Sequence, residues 1–237
     1  MTTMSARERM LGRLRAAVPA NGAALASTGA ELDQQIRNHY QPVPANTSEL
    51  VAQMEAALRS SRAEVLCASA QDWPQLLAGK IAAFGARRLL LYVIRSVGAA
   101  LAAALPDEVR GVPYMMPIEH WKSELFTTID AGFTVAQAGI AATGTLVLVP
   151  DAGTPRTVSL VPPLHIALVY ASTLYADMHA AMRGEDWSAG MPSNLVLASG
   201  PSKTSDIQQT LAYGAHGPRW MWVVIVLDGA AQGEQHV

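Results

Sequence analysis

The chain reads Trp220-Met-Trp-Val-Val-Ile-Val-Leu227, a run of consecutive apolar residues. Similar runs lie earlier, at Leu89–Ile94 and His165–Tyr170. A strand with one face in water shows apolar residues at every second position, so near-continuous runs of this length indicate strands that are buried on both faces. Such strands are typical of a largely parallel sheet covered by helices. The run therefore favours an α/β fold.

Helical and strand patterns alternate around these runs, which is the order expected of an α/β protein. The predicted strands are Ala63–Ala68, Leu89–Ile94, Gly132–Val135, Leu146–Pro150, His165–Tyr170, Asn194–Ala198 and Trp220–Leu227. The predicted helices are Asn46 to about Leu58, Trp73–Phe84, Val97–Leu105, Ser172–Arg183 and Ser205–Tyr213.

Composition and local pattern predict how the 237 residues are divided. Half of them are hydrophobic and 15% are charged, which is enough apolar material for one sizeable core. Residues 1–45 are expected to form an amphipathic helix, opened by a Ser5/Glu8 capping box, followed by a tether rich in Ala, Gly and Pro. Residues 46–229 are then the α/β domain and residues 230–237 a tail.

Several classes of function are disfavoured by charge and residue count. A formal net charge of −2 and a pI near 6.3 make a general nucleic-acid binder improbable. Cys67 is the single cysteine and the six histidines show no paired ligand spacing, so we expect no disulfide, metal or other cofactor. The N-terminus lacks a secretory signal, and the longest apolar run is too short to span a bilayer, so we expect a soluble, cytoplasmic protein.

A dense cluster of small and polar residues, Ala198–Ile207, falls between a predicted strand and a predicted helix. Ligands in open α/β sheets bind outside the carboxyl ends of the strands, and we expect this loop to lie there. Its hydroxyls, Gly200 and Lys203 suit an anion at a helix N-terminus. The purely structural alternative is a capping box formed by Ser205 and Gln208. The residue types leave both interpretations open.

Two further segments are candidates. Gly139–Thr145 runs into a strand and fits either a packed turn or a cradle for a carboxylate or phosphate. His216, in His216–Arg219, is the histidine nearest the expected ligand edge, although a lone histidine in a turn is more often structural. Catalytic residues stay unassigned. The candidate ligand-binding residues are Thr143, Gly144, Thr145, Ser199, Gly200, Ser202, Lys203, Thr204, Asp206 and His216.

These segments together resemble the lactate utilization protein C family, whose domain is the LUD domain. The resemblance is carried by Gly139–Leu148, Arg156–Pro162, Met191–Ser193 with Ser199–Ile207, and Gly214–Pro218. It implies a three-layer α/β/α fold similar to that of sugar-phosphate isomerases, CoA transferases and formyltetrahydrofolate cyclo-ligase.

The resemblance also implies a role in oxidising L-lactate to pyruvate beside companion proteins, one of which carries iron–sulfur clusters. Members of the family often have a glutamate where this chain has Ala142, which disfavours an enzyme that uses a carboxylate there; Glu124 or Asp206 could supply one instead. We therefore expect an accessory or structural subunit that binds a small anion or a partner segment. The alternative is a stand-alone isomerase, transferase or cyclo-ligase acting on a phosphorylated or CoA-linked substrate.

Overall fold

The structure is a computed structural model that describes residues 6–17, 29–40, 46–114, 116–205 and 211–227. The chain divides into two compact units, Met1–Val43 and Pro44–Val237. Helices α1 (Ala6–Ala17) and α2 (Gly29–Tyr40) belong to the first unit, and α1 is the helix that the sequence predicts. The capping residue Ser5 and the predicted tail 230–237 lie outside the described residues. The predicted division at residue 45 stays a prediction.

The second unit alternates helices and strands. Its helices are α3 (Thr47–Ser60), α4 (Trp73–Phe84), α5 (Ser96–Ala104), α6 (Lys122–Thr127), α7 (Thr157–Leu160) and α8 (Met178–Gly184). Its strands are β1 (Glu64–Ala68), β2 (Arg88–Leu90), β3 (Arg110–Val112), β4 (Ala131–Val135), β5 (Ala138–Ile140), β6 (Thr145–Leu148), β7 (Leu164–Tyr170), β8 (Leu174–Tyr175), β9 (Val196–Ala198), β10 (Lys203–Ser205), β11 (Leu211–Tyr213) and β12 (Trp220–Val226).

A six-stranded parallel sheet, in the order β1-β12-β7-β4-β2-β3, forms the centre of this unit. The apolar run at residues 220–227 contains β12, which lies between two partners: Val224 is paired with Leu66 on one side and with Leu168 on the other. Residues Met221–Val226 are all buried, which explains why the run has no polar alternation.

Apolar side chains cover both faces of the sheet. On one face α4 and α5 pack over a core that includes Leu77, Leu101 and Trp222. On the other face α3, α6 and α7 pack together with a second sheet. The three-layer α/β/α fold is therefore confirmed.

The second sheet was not predicted. It has four strands in the order β8-β5-β6-β9, with antiparallel pairing of β5 to β6 and of β6 to β9. Leu146 and Leu148 face the parallel sheet, while Ile140 and Val147 face α8 and Trp187. The sheet carries the segment 139–145 and leads into the segment 199–207, so it positions the candidate site.

Two predicted helices were wrong in part. The helix predicted at Ser172–Arg183 begins only at Met178, because a 3-10 turn and the strand β8 occupy the residues before it. The predicted helix Ser205–Tyr213 is wrong at both described ends, since β10 and β11 pair antiparallel there, with Lys203 opposite Tyr213. Residues 206–210 lie outside the description.

Candidate functional site

Hydroxyl groups join two of the candidate segments. The Oγ1 atoms of Thr143 and Thr145 are 2.7 Å apart, and Thr145 Oγ1 lies 2.7 Å from Ser199 Oγ. The chain folds this way because β6 pairs antiparallel with β9, which brings the start of one strand beside the end of the other. Thr145 is only 5% exposed, whereas Thr143 is exposed. Ser199 is exposed as well, so the three hydroxyls form a chain whose two ends reach the surface and whose middle member is buried.

Two glycines hold these segments against the end of α3. Gly144 has φ +59°, and a Cβ there would lie 2.7 Å from the backbone nitrogen of Leu58. Gly200 has φ +148°, and its Cβ would lie 2.9 Å from the carbonyl oxygen of Ser61. Residues other than glycine rarely adopt such φ angles, and neither position has room for a Cβ atom. Gly144 and Gly200 thus have structural reasons to be glycine.

Backbone hydrogen bonds attach the His216 segment to the same place. The Ser202 N–H donates to the Pro218 carbonyl at 2.8 Å, and the Gly214 N–H donates to the Ser202 carbonyl at 2.9 Å. A Cβ on Gly217 would lie 3.0 Å from the Cβ of Ser202. His216 itself is exposed. The three candidate segments therefore form one loop cluster, as the sequence led us to expect.

The physical basis proposed for anion binding changes, however. Lys203 and Thr204 lie on β10 rather than before a helix, so no helix dipole acts at this point of the described chain. The capping interpretation of Ser205 loses its basis for the same reason. Asp206 lies outside the described residues. Any anion here would be held by hydroxyls, backbone N–H groups and the Lys203 ammonium.

The loop cluster also lies at the opposite edge of the parallel sheet from the expected one. Ser61, which Gly200 contacts, precedes β1, and Pro218 precedes β12. Gly217 faces the carbonyl of Leu160, just before β7. These are amino ends of strands, so the expectation of a carboxyl-edge site was wrong. The error arose because β9 belongs to the second sheet rather than the parallel one, and it ends on this side, where its antiparallel partner β6 begins.

Neither alternative carboxylate is shown to serve the loop cluster. Glu124 lies on α6 and pairs with the Arg88 guanidinium. Ala142 is exposed, and its N–H donates to the Ala176 carbonyl at 3.0 Å.

Two arginines beside the loop cluster were not predicted from the sequence. The Arg62 guanidinium lies 4.7 Å from the ring centre of Tyr213, and that of Arg219 lies 5.0 Å from the ring centre of Trp220. No sequence pattern predicts either contact. Arg62 and Tyr213 are far apart along the chain, and the stacking of Arg219 on the adjacent Trp220 follows no recognisable motif.

A buried histidine lies in the parallel sheet under the second layer. His165 is 2% exposed, and its Nε2 is 2.9 Å from Thr134 Oγ1 on the neighbouring strand β4. Burial disfavours the imidazolium and lowers the pKa of His165 to about 4. This residue is therefore neutral and core-facing.

Three other groups have shifted pKa values. Burial, together with the nearby Glu55 carboxylate, raises the pKa of the Cys67 thiol. Burial opposes ionisation of Asp151, but hydrogen bonds from Thr154 and Gly153 and the Arg95 guanidinium at 2.8 Å hold its pKa below the usual range.

On the outer face of the second sheet, burial and the adjacent Glu185 carboxylate raise the pKa of Tyr175 to about 12. The Tyr175 hydroxyl donates to Glu185 at 3.0 Å. The contact ties the end of α8 to β8 and lies outside the loop cluster.

Membrane-spanning helices and metal-binding clusters are both absent from the described ranges. No helix there is long and apolar enough to cross a membrane. No three His, Cys, Asp or Glu side chains within those ranges are placed to hold a metal ion together.

The fold and the loops define a three-layer α/β/α protein with a hydroxyl-lined loop cluster at the amino edge of its parallel sheet. A crystal structure of a DUF162 family protein from Deinococcus radiodurans has a similar fold, with a TM-score of 0.57 and 22% identity over 77% of this chain and 99% of that one. The LUD domain profile matches residues 51–226. The chain belongs to the LUD domain family.

Relatives of known sequence agree with this assignment. An uncharacterized protein of Neisseria meningitidis serogroup B is 38% identical over 231 residues, covering 94% of each chain. A lactate utilization protein C of Shouchella clausii is 37% identical over 102 residues, which span 42% of this chain and 44% of that protein. One of Macrococcus caseolyticus is 34% identical over 52% of this chain and 51% of its own length. The similarity to the lactate utilization proteins thus covers about half of their length.

Proposed function

We propose that this chain is a lactate utilization protein that serves as an accessory, non-catalytic subunit of an iron–sulfur L-lactate oxidation system and binds a small anion in its loop cluster. The family assignment and the names of the relatives support the first part. The companion proteins, including an iron–sulfur subunit, belong to the proposal. The hydroxyl chain carries the second part.

The chemistry of that chain favours an acceptor as the ligand. Three hydroxyls carry three hydrogens, and the two contacts between Thr143, Thr145 and Ser199 use two of them. When the hydroxyls donate in one direction along the chain, the last of them keeps a hydrogen to donate at its end. Thr143 and Ser199 are both exposed, so a carboxylate or phosphate oxygen beside either end would receive that hydrogen. Lys203, also exposed, supplies a positive charge in the same loop cluster.

The accessory role rests on residues that the sequence lacks. One cysteine cannot supply the thiolates of a typical iron–sulfur cluster, and the sequence has no GxGxxG fingerprint for a dinucleotide. Ala142, next to Thr143 of the hydroxyl chain, also offers no carboxylate there. Electrons from lactate would therefore have to pass to a companion protein.

Calorimetric titration tests the binding site. We expect L-lactate, pyruvate, phosphate or CoA to give a saturable heat with the purified chain. We expect Thr143→Val and Ser199→Ala to weaken it about tenfold, a size typical of one lost hydrogen bond to a charged group. The control is Thr127→Val on α6, whose hydroxyl donates to the Ser123 carbonyl away from the cluster. No heat with any of the four ligands would remove the anion site from the proposal.

Activity measurements test the accessory role. The pure chain with L-lactate and an artificial electron acceptor should show no turnover, whereas the mixture with its companion proteins should be active. A deletion strain should grow poorly on lactate and normally on pyruvate. Sustained turnover by the chain alone would overturn the accessory role, and normal growth of the deletion strain on lactate would end the lactate assignment.

A further inference from the structure

Arg62 has an unusual backbone at the edge of the loop cluster. Its φ is +67°, a region that non-glycine residues seldom occupy, and it follows Ser61, against which Gly200 packs. The side chain is exposed, and its guanidinium carbon lies over the ring of Tyr213 on β11, 4.7 Å from the ring centre. A guanidinium stacked on a ring keeps its N–H edge free for a planar anion such as a carboxylate.

A second guanidinium is held in the same way nearby. Gly214 follows Tyr213 with φ +78°, and a Cβ there would lie 2.7 Å from the Cβ of Arg219. Arg219 stacks on Trp220, the first residue of β12. Two oriented guanidinium groups therefore flank the single dipeptide Tyr213–Gly214. Lys203 is the strand partner of Tyr213 and adds a third cation.

These three cations have no internal counter-charge in the described part of the chain. The ion pairs found there use Arg59, Lys80, Arg88 and Arg95. Arg62, Lys203 and Arg219 are exposed and are paired with no described carboxylate. Whatever covers them must therefore be anionic if their charges are to be neutralised.

Exposed aromatic rings lie beside the cations. Trp220 is 39% exposed and Phe84 is 42% exposed, and their ring centres are 5.4 Å apart in an edge-to-face arrangement. Tryptophan and arginine are the residue types that dominate protein–protein binding energy, particularly where an apolar centre has a charged rim. We call the five residues Arg62, Phe84, Lys203, Arg219 and Trp220 the Arg–Trp surface.

We infer that the Arg–Trp surface docks an acidic segment of a companion protein, with an apolar side chain of that segment against Trp220 and its carboxylates on Arg62 and Arg219. The inference rests on the proposed accessory function and names the surface through which it acts. Exposed rings next to the cations favour a protein segment over a small anion. The net charge of −2 disfavours nucleic acid.

Binding of the full-length chain to its purified companion lactate-utilization proteins tests this inference. Dissociation constants are measured for the unaltered chain, Arg62→Gln, Arg219→Gln and Trp220→Ala, each at low and high salt. We expect each substitution to weaken binding about tenfold and the arginine variants to lose part of the salt dependence. The control is Arg110→Gln, an exposed arginine on β3, four strands and about 19 Å from β12 across the sheet. Melting temperatures of the variants show that they are folded.

Each outcome has a distinct meaning. If the unaltered chain binds no companion protein, the proposed accessory function fails and this inference fails with it. If it binds but the two arginine variants bind equally well, the accessory function stands and the Arg–Trp surface is wrong. If those variants bind the companions normally but lose binding of inorganic phosphate, the surface is a small-anion site and the docking inference is overturned.

Discussion

The buried imidazole of His165 should make the stability of this protein depend on pH in the range just below neutral. The pKa of His165 is about 4 in the folded protein, against an ordinary value of 6.5 that the unfolded chain should show. Between these two values the unfolded chain binds more protons than the folded one, so acid favours unfolding. The contribution of neutral His165 to the free energy of unfolding is therefore complete above pH 6.5, and it is lost as the pH falls toward 4.

The size of the effect follows from the two pKa values. The contribution of His165 to the unfolding free energy is RT times the logarithm of a ratio, that of the proton-binding polynomial of the unfolded state to that of the folded state. From pH 8 to pH 5 the unfolding free energy falls by about 2 kcal/mol through this residue. The lowered pKa of Asp151 affects stability only below about pH 4, where unfolded aspartate begins to bind protons.

Urea unfolding at pH 8, 7, 6 and 5 and constant ionic strength measures the effect. His165→Gln keeps a neutral side chain that can still bond to Thr134, and it should remove most of the slope, whatever it does to the stability at pH 8. His120→Gln, which replaces an exposed imidazole, is the matched control and should keep the slope. A parallel pH profile for His165→Gln and the unaltered protein would refute the reasoning.

Two further predictions concern the end of α3 and the single thiol. Gly144→Ala should lower the unfolding free energy by at least about 2 kcal/mol, because it combines a positive φ with a clash at the backbone of α3. By contrast, Gly79→Ala in α4, which meets nothing within 4 Å, should raise it by up to about 1 kcal/mol; chemical denaturation of both variants checks the pair. Cys67 should react with iodoacetamide at pH 8 more slowly than free cysteine, because its pKa is raised, and Glu55→Gln should speed the reaction. Equal rates before and after that substitution would contradict the assigned cause.

The long, buried elements were predictable from the sequence. The prediction Trp73–Phe84 agrees with α4, and His165–Tyr170 and Trp220–Leu227 differ from β7 and β12 by one residue at one end. Most side chains of β7 and β12 and one face of α4 are buried, and this leaves a strong apolar pattern in the local sequence.

Short elements were not predictable because their partners are distant. β5 has three residues, Ala138–Ile140, and it exists because β6 and β8 pair with it on either side. The segment Ser205–Tyr213 contains a capping pattern that suits a helix, yet its described ends pair with each other as strands. Hydrogen bonds between β10 and β11 determine the secondary structure there, and they override the local helical propensity.

The sequence singled out residues that lie together in the structure, but it did not indicate where on the fold they lie. Thr143, Thr145 and Ser199 were named from residue type, and the structure brings them into one chain of hydroxyls. The edge of the sheet at which they meet depends on the second sheet, which left no readable pattern. Arg62 and Arg219 were missed because their significance lies in the rings beneath them.

The strand order has a consequence for the synthesis of this protein. β1 pairs with β12 and with no other strand of the parallel sheet, so residues 64–68 must wait for residues 220–226 before they can join it. At ribosomal rates of roughly 5–20 residues per second, that wait lasts on the order of 8–30 s. During this time β7 also lacks its neighbour on that side, and two apolar strands are exposed on the nascent chain. Newly made protein should therefore depend on chaperones until its last strand has been translated.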